Sequence, residues 1–306
     1  MELMNLNLIF LFALSALVGL GSRAFAKLCS NMVAQSSAAK YSLVLIVNCL
    51  VACLFFAISG GFRLRINTAT LIYSVIYAMV AAASVVSNLI VYRLTKISNV
   101  NVISGACSMV CTVLLGWMLF SEPLSPIKLL RILLMLVAIY LVFVDKKTGE
   151  QAAPREAKRK SMILFLSVVA VIVLCGCSSN LVLKSFASSE LVTDENSFFF
   201  YTNVVLIMGA IPVYAVSCLR NRSEWKSSLQ LLSPKRLISL SGNTVCSNII
   251  AILSVLIVAQ MDVSLYSIIS SAVGILLGVV ASLLFRERLG RYSYLAAAIA
   301  CIAIII

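Results

Sequence analysis

The chain has 306 residues, 62% hydrophobic and 11% charged, with no histidine and a formal net charge of +13. A soluble domain carries about 25% charged residues, so this composition excludes an ordinary soluble protein and points to an integral membrane protein. The basic excess lies between apolar runs, where loop bias accounts for it, so it implies no nucleic-acid partner.

A helical span needs about 20 mostly apolar residues. Ten such runs are predicted, at 5–28, 41–59, 68–93, 98–120, 125–145, 161–186, 196–218, 235–259, 262–284 and 291–306. Unbroken stretches such as Leu129 to Val144 lack the alternation of barrel strands. The first run passes Ala24-Phe25-Ala26, which mimics a signal-cleavage site. Its start, Met-Glu-Leu-Met, lacks the positive charge of a signal peptide, so the run reads as a span. It carries Ser22, Arg23 and Lys27. Span 2 contains Asn48, and span 3 contains Ser84, Ser87 and Asn88 before ending at Arg93. Span 4 sets Ser104, Ser108, Thr112 and Gly116 at steps of four, a small-residue stripe that lets another helix approach closely. Span 6 holds Asn180 and Lys184, span 7 Asn203, and span 8 Asn243, Thr244, Ser247 and Asn248. Span 9 repeats the stripe with Ser270, Gly274, Gly278 and Ser282, beside Ser271. The ten cysteines form no C-x-x-C pair, so they read as free packing thiols and imply no metal site.

Four features recur in the same order. Gly19 and Lys27 return as Gly176 and Lys184, Asn48 as Asn203, and Ser87-Asn88 as Ser247-Asn248. LFSEPLSP (119–126) returns as LFRERLGR (284–291), so the offsets run 157, 155, 160 and 165 residues. The chain is therefore read as two five-span repeats, 1–147 and 159–306, joined by a polar linker at 148–158. An odd number of spans inverts the second copy in the membrane, an architecture of secondary transporters with substrate held where the repeats meet. The predicted fold class is all-α, a polytopic membrane protein of ten helices in two inverted five-helix repeats.

Each half ends with a small-residue helix, Leu-Phe-x-Glu-x-Leu and an apolar helix. In this it resembles the EamA branch of the drug/metabolite transporter superfamily across nearly the whole chain. It departs from the family where a proline is usual, having Met109 in span 4 and Gly274 in span 9. The resemblance implies a carrier of a small polar or amphipathic metabolite, such as an amino acid or related compound. It would work by alternating access in facilitated or exchange mode, without a cofactor, as a monomer or weak homodimer in a bacterial cytoplasmic membrane. It also places spans 4 and 9 beside the central cavity.

The candidate pocket residues are neutral: Ser84, Ser87, Asn88, Ser104, Asn180, Ser247, Asn248 and Ser271. Each can instead hydrogen-bond between helices. Arg23, Lys27, Arg93 and Lys184 could line a basic vestibule or snorkel from helix ends. Glu122 and Glu287 read as turn-fixing groups, Glu122 just ahead of the helix that Ser125 and Pro126 open, with substrate contact the alternative. All 11 acidic residues fall in loops or at span ends. The small multidrug relatives depend on a glutamate inside their first helix, and span 1 here has none. That disfavours a proton-coupled drug exporter and leaves a membrane-embedded enzyme or lipid-handling protein with few groups to work with. On the side of loops 1–2, 3–4, 5–6, 7–8 and 9–10 lie 18 of the 24 basic residues. The positive-inside rule makes that side cytoplasmic and both termini external, whereas the family resemblance implies internal termini.

Overall fold

The computed structural model describes residues 6–33, 38–94, 97–147, 157–189, 194–284 and 291–306. All its regular structure is helical among these residues. The helices are α1 (Leu6–Val33), α2 (Ala38–Ser59), α3 (Thr68–Leu94), α4 (Ile97–Phe120), α5 (Pro126–Lys147), α6 (Ala157–Ala187), α7 (Glu195–Arg220), the short α8 (Arg222–Leu229), α9 (Pro234–Gln260), α10 (Val263–Leu284) and α11 (Arg291–Ile305). A 3-10 turn, Gln230–Leu232, follows α8. Each of the ten long helices covers one of the ten apolar runs. α8 lies outside them because its eight residues, RSEWKSSL, are mostly polar. Among the described residues, Ala38–Ser59, Ala170–Ala187, Glu195–Arg220 and Pro234–Gln260 are long and apolar enough to cross a membrane. Large apolar side chains stand exposed on most helices, Phe10, Leu54, Met79, Leu133 and Met208 among them. In water so much exposed apolar surface would drive association; against lipid it is solvated.

Two compact units divide the chain, Met1–Met79 with Ser185–Ala259 and Val80–Lys184 with Gln260–Ile306. Neither coincides with a sequence half, since each takes residues from both.

In the first unit α2 lies along α7, with α8 docked on both. Its core is aromatic. Phe186 stacks on Phe198 at 4.2 Å, Phe56 stacks on Phe199 at 5.1 Å, and Tyr73 and Tyr77 meet this group edge-on or tilted. Ring pairs in such geometry add to plain burial. The Phe198 carbonyl accepts from the buried hydroxyls of Ser74 and Thr202, both at 2.9 Å. Asp194 starts α7 by accepting from the backbone N–H groups of Asn196 and Ser197, the capping role expected of aspartate there. The Ser197 hydroxyl in turn accepts from the Arg65 N–H at 3.1 Å, tying the α2–α3 loop to the start of α7.

In the second unit α5 lies along α11 and α4 along α10. Their shared core is Met109, Val113, Met135, Ile268, Ala272, Ala300 and Ala303. Alanines on one face of α11 allow close packing of the kind small residues give in membranes. Met109 is fully buried in this core. Ser125 and Pro126 open α5 as expected, the Ser125 hydroxyl accepting from the Lys128 N–H at 3.2 Å.

Candidate functional site

Within the first unit, α1 meets α9 along a seam that lacks bulk. A Cβ on Gly242 would lie 2.8 Å from the Phe25 ring, and one on Gly21 3.5 Å from the Cys246 sulfur. The polar groups gather on this seam. The Ser22 hydroxyl donates to Asn243 Oδ1 at 3.0 Å and stands 3.4 Å from the Ser247 hydroxyl. Thr244 donates to Asn48 Oδ1 from α2 at 3.0 Å and also reaches the Leu240 carbonyl. Asn243 with Ser247, and Thr244 with Asn248, form two adjacent i, i+4 rows on α9, which is why one helix can present all four. The Asn248 amide nitrogen is buried with no hydrogen-bond partner. Buried donors are nearly always satisfied, so an orphan in a polar neighbourhood calls for an explanation. The polar side chains described on this seam are amides and hydroxyls together with the Cys246 thiol. The amides and hydroxyls can orient a polar solute by hydrogen bonds.

Within the second unit α6 crosses α4 at the predicted small-residue stripe. A Cβ on Gly176 would lie 2.6 Å from the Ser108 hydroxyl, the Cys177 thiol donates to the Ser108 carbonyl, and Asn180 Nδ2 reaches the Thr112 hydroxyl at 3.5 Å. Of the pocket candidates, Ser247 and Asn248 fall in the first unit, and Ser84, Ser87, Asn180 and Ser271 in the second. The structure joins Ser247 to Ser22 and Asn180 to Thr112. Ser87 is buried, while Ser84 and Ser271 are half-buried. The side chains of Arg23, Lys27, Asn88, Arg93 and Ser104, and all of Glu287, lie outside the described residues. So do residues 148–156 of the linker.

Glu122 departs from the sequence reading in one respect. It fixes a helix start, but the helix is α10 and not α5. Its carboxylate, 5% exposed, accepts from the N–H of Val263 at 2.7 Å, the N–H of Ser264 at 3.1 Å and the Ser264 hydroxyl. A negative group at the positive helix end is favourable, and burial strengthens it. Space for the contact comes from Gly116, whose Cβ would sit 2.7 Å from the Ser264 hydroxyl and 2.9 Å from Glu122 Oε2. Ser121, at φ +54°, turns the chain through the left-handed region to aim the carboxylate. The same α9–α10 turn is held twice more. Lys128 pairs with Asp262 at 2.5 Å, and Lys184 donates to the Met261 carbonyl at 2.8 Å, at the negative end of α9. Lys184 thus serves a helix end, as its position in span 6 allows. The nine described cysteines are free thiols, and Cys107 and Cys301 are exposed instead of packed. Among the described residues no group of three potential metal ligands gathers.

No family model and no curated protein matches the chain. It is similar in fold to a solved structure described as "Crystal structure of protein", over 95% of this chain and 96% of that one, with a TM-score of 0.59 and 13% identity. At that identity the likeness is one of fold alone.

Proposed function

We propose that the chain is a secondary carrier of the drug/metabolite transporter type. Its ten long helices would span the membrane as two inverted repeats and move a small polar metabolite, an amino acid or related compound, by alternating access. One observation carries the reading. α2 packs on α7, α4 on α10 and α5 on α11, and each of these pairs occupies the same place in the two sequence halves. Self-facing counterparts are what a two-fold relation between repeats produces, as in an isologous dimer interface. The neutral seam on α9, with the unpaired Asn248 amide, supports a binding role for uncharged donors and acceptors. Purified full-length protein in liposomes, loaded and assayed with a panel of radiolabelled amino acids and related metabolites, tests this. Saturable flux of an unaltered solute is expected. Chemical conversion of the solute, or no flux across the panel from well-folded protein, would sink the carrier reading.

A further inference from the structure

The stretch from α7 into α9, RNRSEWKSSLQLLSPKR (220–236), carries five basic residues and one acid. Inside it, α8 is pinned to the protein by one face. The Ser228 side chain is fully buried, its hydroxyl lying 3.1 Å from the Tyr214 hydroxyl on α7 and donating to the Trp225 carbonyl. The Arg236 guanidinium closes the following turn onto the Gln230 carbonyl at 3.2 Å. Trp225, 50% exposed although its ring lies 6.0 Å from that of Tyr214, and Leu229 stand one turn apart on α8, and Val216 and Leu219 at the end of α7 and Ile238 on α9 are exposed as well. Arg220, Lys226, Lys235 and Arg236 are exposed around them.

We infer that this surface seats anionic phospholipid headgroups, with Trp225 and Leu229 at the acyl boundary and the four cations on the phosphates. The pattern joins the two signals that interfacial lipid binding requires, apolar anchors and a cationic cluster beside a spanning helix. Tryptophan adds the preference of its amphipathic ring for headgroup depth. Because α8 is docked through Ser228 and Tyr214, the surface is presented ready-made. The inference rests on the chain being membrane-embedded and not on what it carries.

The protein has two tryptophans, so Trp117→Phe leaves Trp225 as the sole tryptophan, excited selectively to the red of tyrosine absorption. That full-length variant, placed in phosphatidylcholine vesicles, is titrated with brominated phosphatidylglycerol or brominated phosphatidylcholine at equal mole fraction. Quenching by the anionic lipid should be roughly threefold stronger or more. The excess should fade in high salt and vanish in Lys226→Gln/Lys235→Gln/Arg236→Gln. Equal quenching by both lipids would overturn the inference while leaving the membrane reading intact. Shielding of Trp225 that grows with protein concentration would assign the surface to a second copy of the chain. Quenching of neither Trp225 nor, in Trp225→Phe, of Trp117 would overturn the membrane reading with it.

Discussion

Glu122 shows what one side chain can do at a helix start 141 residues away. Hydrogen bonds to a charged group contribute about 1.5–3 kcal/mol. Glu122→Gln turns one acceptor oxygen into a donor facing N–H groups, and it should lower stability by about 2 kcal/mol. Gly116→Ala pushes a methyl against the same carboxylate and should cost about 1–3 kcal/mol. Because both act on one contact, the double variant should lose less than the sum, as read from thermal unfolding in detergent. Additive losses would mean the two residues act separately. Asn248 is the opposite case, its buried amide nitrogen having no hydrogen-bond partner among the described residues. Asn248→Leu should abolish flux in liposomes while leaving the melting temperature unchanged or raised, since an unpaired buried amide costs roughly 1–3 kcal/mol. A drop in melting temperature with flux preserved would make it a packing residue. The Leu-Phe-x-Glu-x-Leu phrase is visible twice in the sequence, and its first copy marks the turn between α4 and α5, while residues 285–290 of the second lie outside the described residues. The identity of the helix that Glu122 caps is not visible in the sequence, because no local pattern encodes a partner in the other half of the chain.

At the scale of helices, the first unit depends on aromatic stacking between α2, α3, the end of α6 and α7. Phe198 touches Phe186, Phe199 and Tyr77. Phe198→Ala should destabilise by about 3–5 kcal/mol, as large-to-small changes at buried aromatics do. Loss of the detergent-solubilised monodisperse peak on heating should come many degrees earlier than for Leu54→Ala on the exposed face of α2. Equal behaviour of the two would remove the aromatic core from the account. Hydropathy located the ten long helices because the length and greasiness of an apolar run are written locally, and among the described residues four of them are long and apolar enough to cross a membrane. The run Phe198-Phe199-Phe200 reads in sequence only as apolar, since stacking depends on which helix arrives opposite. α8 was missed for the converse reason: eight mostly polar residues carry too weak a helical signal until α2 and α7 dock them. The stripes on α4 were legible as close-approach surfaces, but which stripe residue meets α6 and which meets Glu122 follows from helix rotation, which small-residue spacing does not specify.

For the whole molecule, coupling and orientation follow from where its charged side chains lie. Three described carboxylates near helix ends are engaged: Glu122 accepts at α10, Asp194 caps α7 and Asp262 pairs with Lys128, while Glu195 stands in the first turn of α7. Flux should therefore persist when an ionophore collapses an imposed pH gradient. Flux that stops on collapse, and is abolished in folded Glu122→Gln, would make that carboxylate the proton site. A fluorescent protein fused after Ile306 should stay dark in the cytoplasm, because the basic loops claim that side; bright fluorescence would reverse the orientation. The division into two units bears also on how the molecule is made. Each unit draws on both sequence halves, and α2 ends at Ser59 whereas its packing partner α7 ends at Arg220. At roughly 5–20 residues per second, a ribosome completes α7 some 8–30 s after α2. On the carrier reading proposed above, the early helices would wait in the bilayer during that interval, with Asn48, Ser74 and the α1 face of the polar seam still lacking their partners from the second half. Biogenesis of this chain is a waiting problem, and its most vulnerable species is the half-synthesised one.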